Sequence, residues 1–75
     1  MAKYIYDEDT LRAEYPEHLD KILDSIPRAG YELYDFQFQE CKLTDEGTII
    51  VEYISLSDQS IIARLEDDTF NIIKQ

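Results

Sequence analysis

The segment Thr48-Ile49-Ile50-Val51-Glu52-Tyr53-Ile54-Ser55-Leu56 decides the fold. At a period of two, Ile49, Val51 and Tyr53 fall on one face of a strand, and Ile50, Ile54 and Leu56 on the other. Apolar side chains on both faces describe a strand inside a sheet, so further strands are expected on either side of it.

Both flanks supply them. On the N-terminal side, Thr44-Asp45-Glu46-Gly47 has the residues of a hairpin loop, with Asp opening a type I turn and Gly taking the left-handed position. Ahead of that loop, Tyr34, Phe36 and Phe38 alternate with Asp35, Gln37 and Gln39 from Tyr31 onward, while Cys41 and Leu43 fall in the opposite phase. A bulge near Gln39-Glu40 reconciles the two phases. On the C-terminal side, Ser57-Asp58-Gln59-Ser60 reads as a turn, after which Ile61, Ala63 and Leu65 point inward and Ile62, Arg64 and Glu66 outward. Asp67-Asp68 then reverses the chain into a last strand, Thr69 to Lys74, with Phe70 and Ile72 in phase and Ile73 opposed.

Upstream the period becomes helical. Leu11, Tyr15, Leu19, Ile22, Leu23 and Ile26 recur at threes and fours and share one face. Pro16 suits a first helical turn and pushes its predecessor out of the α region. The regular helix is therefore expected from Pro16 to Ile26, with Asp9 to Tyr15 as a short leading turn, Pro27 as the stop and Ala29-Gly30 as the corner. Lys3 to Tyr6 reads as a candidate edge strand. The expected class is α+β: one N-terminal amphipathic helix packed on a four-stranded antiparallel β-meander, with that edge strand as a candidate addition. Residues 1–75 are read as one domain, since a chain this short has a single modest core.

Composition narrows the function. Hydrophobic residues make up 44% of the chain, as in a globular protein. Cys41 is the only cysteine, which points to a reducing compartment and a cytoplasmic location; with no long apolar stretch in the sequence, neither a signal peptide nor a membrane span is expected. Seventeen acids against seven Lys and Arg leave a formal net charge of -10. Such a chain repels phosphates and anionic lipid, so direct nucleic-acid or membrane binding is not expected, and its natural complement is a basic protein surface. The same balance also serves solubility.

The residue types that carry chemistry are sparse. His18 is the only imidazole and sits among carboxylates, and Cys41 has no basic neighbour in sequence to activate it. Asp7, Glu8 and Asp9 lack the spacing of a calcium loop and suit a helix N-terminus instead. Gly30 and Gly47 are the only glycines, too few for a phosphate-cradling loop. No catalytic residue, cofactor or metal site is expected, and the chain reads as non-enzymatic.

A binding surface is the remaining expectation. On the helix Glu17, Asp20 and Asp24 lie opposite the apolar stripe, with Glu14 nearby and Lys21 the one interrupting cation. The helical rise separates them by about 4.5 to 6 Å, on the scale at which phosphates succeed one another along a nucleic-acid strand. Six of the nine aromatics are tyrosines; Tyr15, Tyr34 and Tyr53 are assigned to the core, leaving Tyr4, Tyr6 and Tyr31 for an interface. The leading expectation is a small inhibitor of the DNA-mimic or anti-defence kind, as phages encode, which covers the basic surface of a nucleic-acid-processing enzyme. The alternative is a homodimer or assembly module that buries Ile50, Ile54 and Ile62, because one helix covers only one sheet face.

Overall fold

Two α-helices cover the sheet where the sequence suggested one. The computed structural model describes residues 2–75. Asp7 caps the first helix: its carboxylate accepts from the Thr10 amide at 3.1 Å and the Thr10 hydroxyl at 2.9 Å. With acids in its first turn and Leu11 fully buried, the expected leading turn is a true helix, α1 (Glu8–Glu14). Tyr15, at φ -136 and ψ 61, then breaks the path ahead of Pro16, and α2 (Pro16–Arg28) starts afresh with proline in its first turn.

The expected stop at Pro27 is also corrected. Proline there forfeits only its own amide bond, near an end where later carbonyls lack helical partners anyway. The helix runs on to Arg28 and closes where Gly30 takes φ +92, its amide bonding Pro27 O at 3.0 Å while the Tyr31 amide bonds Ile26 O at 3.3 Å. This paired closure is a Schellman motif, and it turns Tyr31 back onto the core, edge-on to Phe36.

Tyr34 does not begin a strand. Leu33–Asp35 forms a 3₁₀ turn, and Tyr34 stands 82% exposed instead of in the core. Asp35 accounts for the difference. Its carboxylate accepts from the hydroxyls of Ser55 at 2.6 Å and Ser57 at 2.8 Å and from the Ser57 amide at 3.1 Å, clamping this turn to the end of the central strand.

Five strands follow one another as an antiparallel meander in the order β1-β2-β3-β4-β5: β1 (Lys3–Ile5), β2 (Phe36–Leu43), β3 (Ile49–Ser55), β4 (Ile61–Glu66) and β5 (Thr69–Lys74). The candidate edge strand is real and pairs Ile5 with Cys41. β3 is central, as its two apolar faces require. The register slips between Phe38 and Glu40, where the phases of β2 demanded a bulge. Gly47 takes φ +86 in the β2–β3 loop, and Asp67 takes φ 51 in the β4–β5 turn. Asp67 is held there by Ile49, whose amide donates to its carboxylate at 3.1 Å and whose carbonyl accepts its amide at 2.8 Å.

The core lies between the helices and one sheet face. Leu11, Leu19, Ile22 and Ile26 meet Val51, Tyr53, Ala63 and Leu65. Tyr15 packs against this cluster and Tyr53 is inside it. Ile62 faces the opposite side of the sheet yet is only 7% exposed, screened by its cross-strand neighbours Ile54 and Ile73.

Candidate functional site

The acids of this chain divide into those with a local structural task and those left to solvent. Asp7 caps α1, Asp35 clamps the 3₁₀ turn, Asp58 closes the β3–β4 turn on Ser60, and Asp67 anchors the β4–β5 turn to β3. Hydrogen bonds from Ser55 and Ser57 hold the Asp35 carboxyl below its ordinary value, and those from Ser60 do the same for Asp58. Most cations are engaged as well. Lys3 pairs with Glu14 at 2.8 Å, Arg12 with Glu8 at 3.2 Å, Arg28 with Asp24 at 3.1 Å and Lys21 with Asp68 at 2.6 Å.

The helical row therefore differs from the expected one. Glu14 ends α1, not α2, and leans on Lys3 of β1; Asp24 is paired to Arg28. Glu17 and Asp20 are exposed and form no ion pair among the described residues. What sequence reasoning missed is the extension of this row onto the sheet. Lys21 draws Asp68 against α2, and its ammonium holds that carboxyl below the usual range, so the acids of the β4–β5 turn stand beside those of the helix. No sequence signal announces this, since the two residues lie 47 positions apart.

Three shallow depressions lie near these acids, two beside α2 and one on the helix-free side of the β4–β5 hairpin. The first is lined by Glu14, Tyr15, Pro16, Glu17 and His18, the second by Glu17, His18, Lys21 and Asp68, and the third by Glu66, Asp67, Asp68, Thr69 and Asn71. The two beside α2 share Glu17 and His18 and form one open trough, which the third meets only at Asp68, since Glu66, Thr69 and Asn71 belong to the opposite sheet face. His18 stacks edge-on to Tyr15 within the trough.

The tyrosines do not converge on this trough. Tyr4 and Tyr6 stack in parallel, their centroids 5.9 Å apart, with Lys42 over the Tyr4 ring at 5.7 Å. Tyr4 is in register with Lys42 on the helix-free side of the sheet, away from α2. Tyr31 is half-buried and packs inward. A single surface of acid surrounding tyrosine is thus not formed.

Ile50, Ile54 and Ile62 do share the helix-free face, but not as one patch. Ile54 and Ile62 are direct cross-strand partners, whereas Ile50 lies beyond the Glu52–Arg64 pair, opposite Glu66. Cys41 is buried, and its burial, with Glu14 adding to it, pushes the thiol up, away from reactivity. Among the described residues no helix is long and apolar enough to cross a membrane, and no group of three His, Cys, Asp or Glu could hold a metal ion.

In comparisons with protein-family models, curated proteins and solved structures, nothing matches this chain.

Proposed function

We propose that the chain is a non-enzymatic binding protein that covers the basic, nucleic-acid-binding surface of another protein with the acidic trough between α2 and the β4–β5 turn. The observation that carries this reading is the Lys21–Asp68 pair, which holds the β4–β5 turn beside Glu17 of the helix. An elongated run of carboxylates gives a partner's Lys and Arg the charge pattern they meet on a phosphate backbone. Occlusion follows, because the partner cannot hold the acid surface and nucleic acid at once. Charge complementarity on this scale speeds encounter and makes affinity fall with salt.

The test is a competition. Immobilised protein is used to capture binding partners from host extract, and each captured partner is then challenged with double-stranded DNA or RNA. Release by nucleic acid, and elution at moderate sodium chloride, are the expected results. A captured partner that binds this chain and nucleic acid simultaneously would rule occlusion out.

A further inference from the structure

The sheet face that carries no helix is crossed by a charged row. Glu40 pairs with Glu52, Glu52 with Arg64 and Arg64 with Asn71 on adjacent strands. Within one chain this row is poorly resolved. Glu40 and Glu52 are like charges directly opposite each other, an unfavourable cross-strand pair. Arg64 binds Glu66 at 3.3 Å but stays 3.9 Å from Glu52, and its Nε is buried without a hydrogen bond. Burial, then Glu40, raise the pKa of Glu52, so the surroundings already resist its charge. Beside this row Ile54, Ile62 and Ile73 line up across three strands with no helix above them.

We propose that a second copy of this chain packs on this face, related by a two-fold axis that lies in the interface, parallel to the strands and between β3 and β4. That rotation sets β4 of each copy over β3 of the other. Arg64 of the second copy then meets Glu52 and Glu52 of the second copy meets Arg64, while Ile62 of each copy meets Ile54 of the other. Further out, Glu40 meets Asn71 and Lys42 meets Thr69, so like charges do not face one another across the row. An axis perpendicular to the strands through the same row would instead set Glu52 on Glu52. Strands aligned in this way match the common packing of two sheets in a sandwich.

Ordinary strand spacing and rise give the four overlaid strands, β2 to β5, a face of about 19 by 20 Å, so two copies remove on the order of 800 Å² from water, below the usual size of a stable interface. The dimer is accordingly weak and dependent on concentration. It leaves the trough beside α2 free, because α2 lies on the opposite side of the sheet, while it covers Thr69 and Asn71 of the third depression, and so stands or falls apart from the proposed function. Salt separates the two further: it should strengthen this dimer, by screening the charge of -10 on each copy, and weaken docking to a basic partner.

Sedimentation of the full chain over a concentration series tests the proposal, using charge reversals confirmed as folded by circular dichroism. The wild type should dimerise with a dissociation constant no weaker than about 1 mM. Glu52→Arg and Arg64→Glu should each weaken self-association by about tenfold or more, because each places like charges across the axis. Mixed in equal amounts, they should associate again as a heterodimer, a recovery that an effect within one chain cannot give. A monomeric wild type, single reversals that still dimerise, or folded reversals that fail to recover on mixing would each overturn the proposal. If a reversal does not fold, the wild type decides through its isoleucine methyl resonances on dilution. Shifts at Ile54 and Ile62 with none at Ile22 and Ile26 are expected; shifts elsewhere would assign any dimer to another surface.

Discussion

Lys21 of α2 donates a hydrogen bond of 2.6 Å to Asp68 of the β4–β5 turn, linking two elements that lie 47 residues apart. The contact is exposed, and its importance is positional. It brings the turn's Asp68 alongside Glu17, and it places a cation between them. Lys21→Met removes that contact and should therefore weaken binding to a basic partner despite the added negative charge, as titration at low and at physiological salt would show. Tighter binding by that variant would mean that net charge alone governs binding and that the pair assembles no surface.

Asp35 ties the acid side of stability to the 3₁₀ turn. Its folded pKa is depressed by Ser55 and Ser57, so its contribution is fully present above the ordinary aspartate value of about 3.9 and is lost as pH falls through the lower folded value. The stability gap between wild type and Asp35→Asn should be constant from neutral pH down to that region and then narrow. Urea unfolding across the acid range measures it, and a gap that widens on acidification would contradict the sign.

Tyr53 presents the opposite case. Its hydroxyl is buried near the Glu8 carboxylate without a hydrogen bond of good geometry, and burial, with Glu8 adding to it, pushes the phenol above its ordinary value. Tyr53→Phe should keep the edge-on contact with Phe38 and raise stability by about 1 kcal/mol. A loss of similar size in urea unfolding would show that the hydroxyl is bonded in solution.

Leu11 reports on α1. It is fully buried, so Leu11→Ala should cost about 2–5 kcal/mol while leaving helix propensity intact. An exposed leading turn would instead lose no more than about 0.5 kcal/mol. Thermal or chemical unfolding separates the two.

The sheet was legible in the sequence because its signals are local. The two-faced pattern of Ile49 to Tyr53, the phase change in β2 and the turn residues at Gly47 and Asp67 each specify backbone geometry within a few positions. The helix ends were misread because Pro27 loses only one bond there, and the closure that extends α2 is a backbone arrangement at Gly30 and Tyr31. Tyr34 looked like a strand residue by phase alone; the Asp35 clamp that removes it needs Ser55 and Ser57, some twenty positions on. The site was half legible for the same reason. Glu17, Asp20 and Asp24 followed from helical spacing, while Asp67 and Asp68 entered only through tertiary contact, and Tyr4, Tyr6 and Tyr31 went elsewhere.

Net charge should govern the salt response of the isolated domain. Its ion pairs are largely exposed and individually weak, whereas the surplus of -10 repels itself throughout the compact state. The melting temperature should rise from dilute buffer to physiological sodium chloride and then level off. A flat or falling trend would show that the pairs outweigh the repulsion.

The most direct test of the acidic surface on α2 is charge reversal by position. Glu17→Lys, Asp20→Lys and Asp24→Lys together change the net charge from -10 to -4, since three acids become three bases. Asp9→Lys, Glu32→Lys and Glu46→Lys make the same change at exposed acids on other elements. Affinity for a captured basic partner, measured at fixed salt by titration calorimetry, should be abolished by the first set and only reduced by the second, with both variants folded. Equal losses from the two sets, or no loss from the first, would contradict a phosphate-like surface on α2.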